Sequence, residues 1–219
     1  MRSLDDLLNT IEPAWSFVSE WIAAATNPIE VLPPKTPDRA EALLATQVTT
    51  RSPLGAVIYE TGGLLVDFGW LRVLGSGHPR LARTLPGWNQ GKSLDGSGQS
   101  PPFLLIADDV LGGFFALNGG ALGPVRGNVH YFAPDSLVWE DFEGGYSDFL
   151  QWCCSGDLAE YYGEYRWPGW EQEVAALTGD RAFFIFPPLW TRGPHVSARH
   201  RGTVPVDELY GLHVGPTPN

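Results

Sequence analysis

The sequence predicts an α+β fold: one domain spanning 1–219, with a mostly antiparallel sheet in meander form and flanking helices. Three observations predict it. Four apolar runs of strand length, FLLIADD, GFFAL, NVHYFA and LVWEDF, follow one another between Phe103 and Phe142. Their connections are short and rich in Gly, Pro, Asn and Asp, so successive runs return antiparallel. Helical periodicity is concentrated before and after these runs, and 219 residues with 43% hydrophobic composition suit one core.

The amino-terminal part reads as helices. Ser3 and Asp6 form a weak relative of the capping box, and Leu4, Leu7, Leu8 and Ile11 recur at helical spacing. Pro13 ends that helix and opens a second, which turns Ala14, Trp15, Val18, Trp21 and Ile22 inward. IEVLPP is a short extended piece. Thr36-Pro37 opens a third helix, running to about Val48 with Leu43, Leu44 and Val48 inward. Ser52-Pro53 opens a fourth, which presents Leu54, Val57 and Ile58 and is closed by a left-handed Gly62. LLVDFGWLRVLGSG, pivoting at Asp67 to Gly69, is a hairpin. A mobile loop follows at about 86–102, with Leu81 and Leu85 on a short helix at its entry. Beyond the meander, SDFLQWCCSGDLAEYY and PGWEQEVAAL read as helices opened by Ser147 and Pro168, and RAFFIFP as one more strand. The tail, about 187–219, is irregular apart from a short helix at VDELYGL.

The stretch GGFFALNGG raises the question of a phosphate cradle. It follows a strand but opens no helix, so its glycine pairs read as turns. GWNQGKS has three residues between its glycines where a phosphate loop needs four, and no strand precedes it. Asp108 and Asp109 are adjacent in a strand and point to opposite faces, which fits a turn role for Asp109 better than a shared ion. His78, His130, His195, His200 and His213 have no partner at metal-ligand spacing, and no nucleophile elbow is present. No metal, cofactor or catalytic residue is therefore expected, and an enzyme is the less favoured class. The adjacent Cys153 and Cys154 read as reduced, half-buried thiols. There is no apolar run of about eighteen residues and no basic, apolar leader pattern, so neither membrane insertion nor secretion is expected and the cytoplasm is.

Charge is the strongest functional signal. The net charge is −11, and residues 135–180 hold eleven acids against one base, Arg166. Such a field repels nucleic acid and attracts basic proteins. Twelve aromatic residues lie between Tyr131 and Trp170, and rings beside carboxylates suit the capture of a basic partner. The candidate partner-binding residues are Glu140, Asp141, Glu143, Asp157, Glu160, Glu164, Tyr165, Trp167, Trp170 and Glu171. Arg192, His195, Arg199, His200 and Arg201 form a basic cluster. It receives an anion, as the lining of a cleft in an enzyme, or binds a partner, or docks on the chain's own acidic stretch.

The meander and its following helix, PPFLLIADDVLGGFFALNGGALGPV and GGYSDFLQWCCSGDL, resemble the SUKH superfamily pattern, as do the upstream LPP and YETGGLLVDFGWLRVLG, together over about residues 30–160. That resemblance implies one α+β domain, no catalytic residues, and immunity or regulatory binding. The long Gly/Ser-rich loop and the basic tail depart from the pattern. The whole chain, including VLPP, QVTTRSPLGAVIYETGG, GWLRVLGSG and GYSDFLQW, more closely resembles a bacterial family named domain of unknown function 2625. That family implies no activity.

Overall fold

The computed structural model describes residues 1–94 and 100–215. Seven strands form one sheet in chain order, each antiparallel to the next. They are β1 (Ile29–Leu32), β2 (Gly63–Val66), β3 (Leu71–Leu74), β4 (Phe103–Asp109), β5 (Phe114–Asn118), β6 (Val129–Ala133) and β7 (Val138–Asp141). The expected hairpin and meander are parts of this sheet, and the IEVL piece is its first strand. Every residue of β2, β3, β4 and β6 is buried. Strands covered on both faces read as continuous apolar runs rather than alternating ones.

The helices flank the sheet. They are α1 (Leu4–Leu7), α2 (Trp15–Ala23), α3 (Thr36–Thr46), α4 (Pro53–Glu60), α5 (Leu85–Asn89), α6 (Tyr146–Ser155), α7 (Leu158–Tyr161), α8 (Trp170–Ala175) and α9 (Val206–His213). A second, two-stranded sheet pairs β8 (Arg181–Phe186) with β9 (His200–Pro205). It meets the first where the Phe183 amide donates to the Val110 carbonyl at 2.7 Å.

Several local expectations are corrected. The Ser3–Asp6 capping box forms, but α1 stops at Leu7 and Ile11 is 91% exposed. The Asn9 side chain accepts from the Ile11 and Glu12 amides at 3.0 and 2.8 Å, and this turn competes with the helix. Gly62 does not close α4 with a left-handed turn. The positive angle falls at Gly63, and a Cβ on Gly62 would stand 2.6 Å from the Gly77 carbonyl oxygen, so the pair serves close backbone approach. The helix expected at 147–162 is two, because Asp157 starts α7 afresh by accepting from the Glu160 amide at 2.8 Å.

The segment expected to be a mobile loop is anchored at its start. Asn89 Nδ2 donates to the Leu105 carbonyl and its Oδ1 accepts from the Leu105 amide, both at 2.8 Å. Lys92 pairs with Asp207 at 2.9 Å. Leu81 lies outside α5, in a bridge with His78. Within that expectation, residues 95–99 lie outside the described residues. The short helix expected at VDELYGL forms as α9, and the tail is more regular than expected because β9 precedes it.

Candidate functional site

The end of β4 carries a buried cluster of charged and polar side chains. Asp108 and Asp109 do face apart. Asp108 accepts from Arg72 Nε at 2.5 Å and from Arg83, and Arg83 also reaches Asp180 at 3.1 Å. Arg72 is 1% exposed and spends its remaining donors on the Asp109 and Arg181 carbonyls, both at 2.6 Å. On the other face, Asp109 Oδ1 accepts from the Leu111 and Gly113 amides at 2.8 and 2.9 Å. Its Oδ2 accepts from the Tyr131 hydroxyl at 2.7 Å and the Tyr162 hydroxyl at 3.4 Å. Burial pushes the Asp109 carboxyl up, and these donors pull it back. Burial also raises both phenols. Both carboxylates are fully buried and their oxygens are occupied by protein donors, so this cluster ties β3, β4, β6 and β8 together.

The glycines of GGFFALNGG belong to the same design. Gly112 has a φ of 80°, and its carbonyl lies 2.9 Å from His213 Nδ1. A Cβ on Gly113 would come within 2.6 Å of Tyr131 Cε2, and closer still to the Tyr131 hydroxyl and Asp109 Oδ2. At the far end Asn118 Oδ1 accepts from the Gly120 amide at 2.7 Å, and its Nδ2 donates to the Gly123 and Val125 carbonyls, both at 2.9 Å. These contacts shape turns.

The acidic stretch is largely at the surface. Glu140, Asp141, Glu143, Asp157, Glu160 and Glu164 are exposed, and Glu171 is half-buried. Asp157 and Asp141 also have local structural work, Asp157 at α7 and Asp141 accepting from Asn128 and the Glu143 amide. The rings divide. Trp167 is 2% exposed, packed on Trp70 and Phe183 and covered by the Arg201 guanidinium at 4.5 Å, so it is not presented as an anchor. Trp170 is half-buried beneath Arg166, 4.2 Å from its ring centre. Tyr165 is half-buried and donates to Asp135 Oδ2 at 2.5 Å.

The structure adds two residues that the sequence reading did not single out. Tyr161, 42% exposed, stacks edge-on against Trp152 at 5.1 Å and against the buried Tyr131 at 6.1 Å. Burial first, then the charges of Asp109, Glu140 and Asp135, raises its phenol above the ordinary 10.0. Asp135, in the turn before β7, accepts from Tyr165, and its charge acts on the Tyr161 phenol. Tyr161, Tyr165, Asp135 and Glu140 thus lie at the β7 end of the sheet, whereas Trp170 and Glu171 open α8.

The basic cluster divides as well. Arg199 clamps its own loop, donating to the Pro187, Pro188 and Pro194 carbonyls at 2.8, 2.5 and 2.8 Å. Arg201 pairs with Glu173 at 3.6 Å. Arg192, His195 and His200 are exposed. A nearby small apolar concavity is lined by Leu111, Phe183, Ile185, Trp190, Leu209 and His213 among others, and by none of the five cluster residues. Cys153 and Cys154 are both buried rather than half-buried, and burial pushes the thiols up, Cys154 to about 11, which keeps them protonated.

The family described as Protein of unknown function DUF2625 matches residues 4–209. The chain belongs to this family. A protein of Escherichia coli (strain K12) described as "Putative uncharacterized protein YbfG" is 46% identical over 212 residues, covering 97% of this chain and 95% of that one. A protein of Haemophilus influenzae described as "Uncharacterized protein" is 42% identical over 189 residues, covering 86% of this chain and 83% of its own. No solved structure matches. Among the described residues no helix is long and apolar enough to cross a membrane.

Proposed function

We propose that this member of the DUF2625 family is a non-enzymatic cytoplasmic binding protein that engages a basic protein partner through its acidic, aromatic surface. One observation carries the reading. Tyr161 keeps its ring partly at the surface on the side of the sheet where Glu140 stands opposite Tyr131, Asp135 is bonded to the neighbouring Tyr165, and neither carboxylate has a cationic partner among the described residues. A rigid ring flanked by uncompensated carboxylates is the composition that binds lysine- and arginine-rich protein surfaces. The SUKH resemblance supports the same class, since it implies immunity-like or regulatory binding without catalysis.

Affinity purification from the native host tests the proposal, with wild type and a Tyr161→Ala/Glu140→Lys variant run in parallel at low and high salt. The wild type is expected to retain a basic protein at low salt, and the variant to lose it. A partner held equally by both proteins, or unaffected by salt, overturns the mechanism. A toxin gene immediately beside this one would favour the immunity role over a regulatory one.

A further inference from the structure

We infer that β7 is an acceptor edge, to which a basic, extended segment of the partner adds as the next strand of the sheet. This rests on the binding reading above and specifies its mode. β7 ends the sheet, and among the described residues it pairs only with β6. In an antiparallel ladder alternate residues turn their N–H and C=O groups to opposite sides, so part of the β7 backbone faces outward, where no strand of the described residues bonds it. The opposite edge is blunted: β1 runs into Pro33 and Pro34, and its Glu30 pairs with Arg80. β7 contains no proline, its Val138 is 55% exposed, and Glu140 and Asp141 are exposed.

The register assigns the two faces. Glu140 stands opposite Tyr131, on the side where Tyr131 meets Tyr161. Trp139 stands opposite Phe132, packing on it at 5.3 Å and on Phe103 at 6.2 Å. A strand laid outside β7 would set alternate side chains beside Glu140 and Tyr161, where lysine or arginine meets a carboxylate and a ring. The intervening side chains would lie beside Trp139, where β-branched residues pack. Charge selects the occupant. Pairing β7 with β7 of a second copy would set two acidic strands side by side, with Glu140 and Asp141 of each near those of the other, which is unfavourable for like charges. A basic segment has the opposite sign and needs only main-chain bonds and alternation.

The test uses the full chain and a synthetic peptide of alternating lysine and threonine, with a twin methylated on alternate backbone nitrogens. The unmodified peptide is expected to bind and to slow hydrogen exchange at the β7 amides. Methylation is expected to weaken binding roughly tenfold, equivalent to losing one or two backbone hydrogen bonds. If both peptides bind equally while Glu140→Lys still weakens them, the acidic surface stands and strand addition falls. If neither peptide binds, and the host partner is indifferent to Glu140→Lys, both readings fall. A peptide-free dimer that protects the β7 amides makes a second copy the occupant and overturns the inference.

Discussion

Gly113 shows how much can depend on a missing side chain. The Tyr131 hydroxyl reaches Asp109 across the space a Cβ would take, and the Gly113 amide itself donates to the same carboxylate. Gly113→Ala forces the phenol or the carboxylate away and leaves a buried charge short of donors. The expected loss is about 2–4 kcal/mol, combining overpacking with an unmade charged hydrogen bond. Gly202 is the control: it lies in β9 with nothing within contact of its missing Cβ, so Gly202→Ala is expected to change stability by less than about 1 kcal/mol. Urea unfolding of the two variants checks this, and equal midpoints would refute the account. The glycine pair that first resembles a phosphate cradle makes room for the protein's own anion.

Between elements, the Arg72–Asp108 pair is a buried tie. Arg72 leaves β3, meets Asp108 on β4 and donates to the Arg181 carbonyl of β8, so one side chain joins both sheets. Arg72→Met strands Asp108 with Arg83 alone, and the expected cost is about 3–5 kcal/mol because the buried carboxylate loses its innermost partner. Arg51→Met, which breaks an exposed pair with Glu12, is expected to cost no more than about 1 kcal/mol. Adding Asp108→Leu to Arg72→Met is expected to recover much of the loss. If the double variant is no more stable than the single one, the uncompensated charge is not the cause. Elements of this kind differ in how legible they are. β4 and β6 announce themselves because both faces are buried. β9, with Gly202 and Pro205 and mostly exposed or half-buried residues, has neither a buried run nor a clean alternation. The start of the 86–102 segment reads as loop because its anchors are long-range side-chain contacts, Asn89 on a strand sixteen residues on and Lys92 on Asp207. The site was legible as composition, eleven acids among rings. Its geometry was not, because Tyr165 meets Asp135 thirty residues away and Trp167 is hidden by an arginine from the tail.

For the molecule as a whole, charge should set the response to salt. The chain carries −11, and of the acids in residues 135–180 only Asp180 and Glu173 are paired with a cation among the described residues. The exposed Glu143, Glu160 and Glu164 therefore repel their neighbours in the folded state, and this repulsion falls off beyond about 10 Å at 0.1 M salt. The buried pairs around Asp108 are shielded from solvent and respond weakly. Added sodium chloride is thus expected to raise the melting temperature by about 2–4 °C, the equivalent of roughly 1 kcal/mol for a chain of this size. A variant carrying Glu143→Lys, Glu160→Lys and Glu164→Lys is expected to start from a higher melting temperature at low salt and to gain less from it. Thermal scans of both proteins across a salt series decide the matter. A wild type that melts lower as salt rises would mean that its surface charges attract more than they repel, and the acidic face would then be compensated within the chain instead of being left open for a basic partner.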